Sequence, residues 1–65
     1  MKEYDSCILI KSIPEEPNVR VGSRGAVLIV YNDSPVSYEV EFFDENKCSI
    51  AVCTVREDFV RPVRT

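Results

Sequence analysis

Seven residues, Val36 to Phe42, constrain this chain more than any other segment. Val36, Tyr38, Val40 and Phe42 alternate with Ser37, Glu39 and Glu41. Side chains on a strand point to opposite faces in turn, so the segment spells a β-strand with one dry and one wet face. On a helix the same spacing would scatter apolar groups around the whole surface. No window of eleven residues elsewhere carries helical apolar periodicity, so the rest of the chain is also read as strands and turns.

Cys7-Ile8-Leu9-Ile10 is a first strand bounded by charges. Lys11 to Gly22 carries Pro14, Pro17 and Asn18 and forms a long excursion loop, because two prolines cannot continue a ladder. Val19 and Val21 are expected to anchor its return to the core. Gly22-Ser23-Arg24-Gly25 is a turn whose glycines supply positive φ or a close backbone approach. Ala26 to Tyr31 is the second strand, and Asn32-Asp33-Ser34-Pro35 a dense turn signal. After the alternating third strand, Asp44-Glu45-Asn46-Lys47 closes a hairpin into a fourth strand, Cys48 to Thr54. Val55 to Asp58 suits one helical turn with Thr54 as its cap. A short fifth strand runs from Phe59 to Val63, with Pro62 marking an edge or an end. The expected fold is all-β: one domain over residues 1–65, a small SH3-like antiparallel barrel of about five strands with a long first loop and a helical turn before the last strand.

The chain has 65 residues and a formal net charge of −3, with no histidine and no tryptophan. A domain of this size buries only about 60% of its chain surface and is marginal alone, so a disulfide, a metal or a partner subunit is the usual supplement. Cys7, Cys48 and Cys53 are odd in number, which suits reduced thiols. Cys48 and Cys53 fall on opposite faces of a regular strand, and Cys7 is left able to pair with either. Three thiols without an imidazole do not make a structural zinc site, and no cofactor is expected. The longest apolar runs, Ala26–Tyr31 and Ile50–Cys53, fall far short of the roughly 20 residues that span a bilayer. Met1-Lys2-Glu3-Tyr4-Asp5 lacks the pattern of a signal peptide. The expectation is a soluble, cytoplasmic protein without membrane contact.

Gly22-x-x-Gly25-x-Val27, Val30-Tyr31, Tyr38-x-Val40-x-Phe42 followed by acidic residues, and a closing Asp58-x-x-x-Pro62 together resemble a family of short bacterial domains. It is known only as a domain of unknown function, number forty-nine twenty-six. The likeness runs from about Ser6 to Val63. It implies an SH3-like barrel in a cytoplasmic bacterial protein and carries over no activity or catalytic residues. The chain departs from the pattern at its three cysteines, at Ser34-Pro35 where glycine is expected, and at Ile29 where a polar residue is common. The first and last of these bear against a monomer.

For catalysis the residues offer little. The commonest general base, histidine, is missing, and the chain is not expected to be an enzyme. Glu39 and Glu41 share a strand face, but they read as a solvated surface rather than an acid–base pair. Cys53 lacks a neighbouring base or cationic cluster in sequence and reads as an inert thiol. Six aromatics without tryptophan do not suggest a groove for proline-rich peptides, and Pro14-Glu15-Glu16-Pro17 reads as a turn.

Two function classes remain. Three strands are apolar on consecutive residues, while a small barrel buries only one face of each. Leu9, Leu28, Ile29, Ala51 and Cys53 are therefore the candidate oligomer interface. The expected function is a non-enzymatic protein-interaction or accessory module that self-associates as a dimer or tetramer, with an unidentified protein as a further partner. The alternative is a small nucleic-acid-binding barrel using a basic corner of Arg20, Arg24, Arg56, Arg61 and Arg64. The acidic whole weighs against nucleic acid.

Overall fold

A computed structural model describes residues 1–63 of the chain. It consists of β1 (Ser6–Leu9), β2 (Arg24–Tyr31), β3 (Ser37–Phe43), β4 (Ser49–Arg56), a 3-10 turn (Glu57–Phe59) and β5 (Val60–Pro62). All neighbouring strands are antiparallel, in one sheet of order β4-β3-β2-β1-β5. The all-β expectation holds, with its long first loop and its helical turn before the last strand.

The alternation that defines β3 is realised as read. Tyr38, Val40 and Phe42 are buried, while Ser37, Glu39 and Glu41 lie on the other face. Every other strand adds to the same core: Cys7 and Leu9 from β1, Val27 from β2, Cys53 and Val55 from β4, Val60 from β5. Ile13 and Val19 of the first loop join the same cluster, so the loop helps to cover the buried face of the sheet.

Two bulges explain the consecutive apolar runs. In β2 the register against β3 shifts between Val27 and Ile29, leaving Leu28 as the extra residue. Val27 and Val30 can then both serve the core, although their separation is odd. In β4, Phe42 pairs with Ala51 and Phe43 with Ser49, so Ile50 is the extra residue, and Ile50 and Ala51 both pack against the core. Part of the apolar surplus is thus absorbed inside.

The first loop is pinned from within. Ile13 and Val19 are buried, and two backbone bonds, Glu16 N–H to the Ile13 carbonyl and Val19 N–H to the Glu16 carbonyl, fold the loop between them. Val21 stays exposed and lines a groove instead of anchoring the return. At the neck, Gly22 N–H donates to the Leu9 carbonyl over 2.8 Å, and Leu9 N–H to the Ser23 carbonyl over 3.0 Å. The two glycines divide the roles expected of them. Gly22 has φ +97°, whereas Gly25 faces inward beneath β3, where a Cβ would lie 2.6 Å from Val40 Cγ1.

Every strand boundary shifts by a residue or two except the end of β2: Arg24 and Gly25 belong to β2 rather than to the turn, and β4 runs on through Val55 and Arg56. Cys48 belongs to the hairpin rather than to β4, because Asp44 Oδ1 accepts the N–H groups of Asn46 and Cys48 while Asp44 N–H donates to the Cys48 carbonyl. The helical turn starts at Glu57, with Arg56 in the cap position and no side-chain cap. Thr54 does not cap it: its hydroxyl donates across the sheet to Glu39 Oε1.

Candidate functional site

The outer wall of the sheet is laid out by register. Ile8 pairs with Arg24 on one side and Arg61 on the other. Ala26 lies opposite Glu41 and Glu41 opposite Val52; Ile29 lies opposite Glu39 and Glu39 opposite Thr54. The two glutamates of β3 therefore run between the apolar residues of β2 and those of β4. Ile29 is 45% exposed and Val52 51%.

Of the five residues expected at an apolar interface, two are placed elsewhere. Leu9 is 0% exposed, because it pairs with inward-facing Val60. Cys53 is 9% exposed and pairs with fully buried Val40. Both belong to the core. Leu28 and Ala51 are half-buried, and Ile29 alone of the five stands out in solvent. Val52, absent from the expected set, takes the outward place that the phase of β4 denies to Cys53. That phase follows from the Val40 pairing and could not be read from β4 by itself.

The basic corner assembles in part. Arg24 and Arg61 stand on either side of Ile8 around one shallow hollow with Pro62 and Val63. Among the described residues neither has an ion-pair partner. Arg56 is drawn away: its Nε lies 3.4 Å from Asp58 Oδ1. Arg20 stays in the first loop, its N–H donating to Ser23 Oγ. Arg64 lies outside the described residues.

A cluster that the sequence did not announce joins the first loop to the 3-10 turn. Lys11 Nζ lies 2.8 Å from Asp58 Oδ2, and both Lys11 and Arg56 sit 5.6 Å from the centroid of the Phe59 ring. The Lys11 hydrogen bond, helped by the charge of Arg56, holds the Asp58 carboxyl below its usual range. Lys11 and Asp58 are 47 residues apart, so only the fold could bring them together. The cluster reads as a structural clip over an aromatic ring.

All three cysteines are free thiols. Burial pushes Cys7 up to about 11, against a smaller opposite effect of a backbone hydrogen bond at Gly25. Burial also raises Cys53, and the charges of Glu16 and Glu39 add to it. A raised thiol is a poor nucleophile at neutral pH. Between the loop neck and the β3–β4 hairpin lies an open groove lined by Arg24 and Lys47 on one hand and Asp44 and Glu45 on the other. Its charges balance, and it favours neither anion nor cation. Among the described residues, no three His, Cys, Asp or Glu side chains gather as a metal-ligand set, and no helix is long and apolar enough to cross a membrane.

The geometry is that of a small all-β domain with one core, a mixed outer wall and an arginine pair. A family model described as "Domain of unknown function (DUF4926)" matches residues 3–62, and the chain belongs to that family. The resemblance read from the glycines, the strand pattern and Asp58-x-x-x-Pro62 is thereby met over nearly the whole chain. No curated protein and no solved structure matches it.

Proposed function

We propose that this protein is a non-enzymatic accessory module of the cytoplasm that acts as a homo-oligomer, a dimer or tetramer, and docks a further protein. Its scaffold is read as a partly open SH3-like barrel. The strand order and the 3-10 turn leading into β5 support that reading. The observation that carries the function is the outward exposure of Ile29 and Val52, on either side of the β3 glutamates, on a domain with little stability to spare. Three free thiols suit a reducing compartment. The absence of histidine, the two raised thiols and the engagement of Glu39 by Thr54 all weigh against acid–base or nucleophilic catalysis.

The second reading is a nucleic-acid contact, favoured by the arginine pair around Ile8. Phosphate affinity of that kind depends steeply on salt. Retention on a polyanion column at low salt, lost at moderate salt and lost in Arg24→Ala, would establish this second role. Passage through the column, together with light scattering that reports more than one chain per particle, supports the first. Light scattering of single chains at every concentration would overturn it.

A further inference from the structure

We infer that the outer face of the sheet, from β3 across to β5, binds single-stranded nucleic acid, with one phosphate held between Arg24 and Arg61 over Ile8 and the neighbouring base laid on the ring of Phe43. The inference rests on the second reading above, a nucleic-acid contact, and names the form of nucleic acid and the residues that hold it.

Register builds the surface. Phe43 pairs with Arg24, Arg24 with Ile8, and Ile8 with Arg61, so the four residues form one row across β3, β2, β1 and β5. Paired residues share a face, and exposed Arg24 and Arg61 put that row on the outside. Neighbouring strands lie about 4.8 Å apart, so the backbones of the two arginines stand about 10 Å apart with Ile8 midway. A guanidinium from each side can close on one phosphate, and its planar fork suits phosphate oxygens. The hollow over Ile8 is lined by no carboxylate, and among the described residues neither arginine has an ion-pair partner. Two like charges thus face one apolar floor uncompensated, in a chain whose net charge is −3. An anion seated there relieves their repulsion.

Phe43 supplies the other half. Of the three phenylalanines, Phe42 is fully buried, and Phe59 already carries Lys11 and Arg56 over its ring. Phe43 is half-buried, lines the groove beside Arg24, and has no cation over its ring among the described residues. The charges of that groove balance, which suits an uncharged base. The phosphate belongs on the other side of Arg24, away from Asp44 and Glu45. Glu41, opposite Ala26, is likewise on the β3 side and does not line the hollow. A duplex keeps its bases stacked inside, out of reach of a ring set in a sheet. A single strand offers both a phosphate and an open base face.

Fluorescence anisotropy of a labelled oligothymidylate of about ten nucleotides, and of a duplex of equal length, titrated with the full chain, tests this. The single strand should bind at low salt, and more tightly than the duplex. Arg24→Ala and Arg61→Ala should each weaken it about tenfold and lower its salt dependence by about one phosphate. Phe43→Leu should weaken it about tenfold with the salt dependence unchanged, and Phe43→Tyr should bind as the wild type does. Arg56→Ala, on the far edge strand, should change the affinity little. Equal affinity for the duplex, or single-strand binding that survives Arg24→Ala, Arg61→Ala or Phe43→Leu undiminished, would overturn this site while a nucleic-acid contact stands. Binding of neither oligonucleotide at low salt would overturn both.

Discussion

Gly25 shows how a single residue fixes the packing of this domain. It faces inward beneath Val40 and Phe42, so a methyl group at its Cα must displace one of them or part β2 from β3. Gly25→Ala is expected to lower stability by about 1–3 kcal/mol, the usual cost of overpacking, as a fall in the urea midpoint. The three thiols make a second test. Exposed Cys48 should react with a thiol reagent in the native state, and Cys7 and Cys53 only as the protein unfolds. For Cys7 the sign is set by its raised value: the native fold favours the neutral thiol. That stabilisation is complete below the ordinary 9.0 and is lost as the pH climbs towards about 11. Stability of the wild type should fall across that window, and Cys7→Ala should flatten the decline. Gly25 was legible in the sequence as a close-approach residue. The burial of Cys53 was not, because its face depends on the pairing with Val40.

At the scale of elements, the strands were legible and their phases only in part. β3 announced both faces, since its residues from Ser37 to Phe42 obey the alternation. β2 and β4 did not, because one extra residue in each, Leu28 and Ile50, shifts the phase midway. A bulge leaves no mark in an unbroken apolar run, and such a run then reads as apolar on both faces. The Lys11–Asp58 clip was equally hidden, its partners meeting only once β5 has paired with β1. Its behaviour with pH follows from the direction of the Asp58 shift. A lowered carboxyl stabilises the fold above its ordinary range, and that contribution is lost as the pH falls through the lowered value. Urea midpoints of wild type and Asp58→Asn should therefore differ near neutral pH and converge in acid. The pair is solvent-exposed, so the neutral difference should be small and shrink further in high salt.

For the whole molecule, the outer wall matters more than any one side chain. The core takes a residue from every strand, yet a domain of 65 residues leaves a large share of its surface exposed. Burying Leu9 and Cys53 removes two residues from the expected interface and leaves Ile29 of that set exposed, with Val52 also on the outer wall and Tyr4, Ile10 and Val21 exposed elsewhere. Glu39 and Glu41 run between Ile29 and Val52, so the wall offers no single apolar patch. The arginine pair, on β2 and β5 around Ile8, stands apart from Val52 on β4. Sedimentation equilibrium of the wild-type protein over a wide range of concentration tests self-association most directly. The mass is expected to rise with concentration from the 7.4 kDa of one chain to at least twice that value. A constant 7.4 kDa throughout would contradict it.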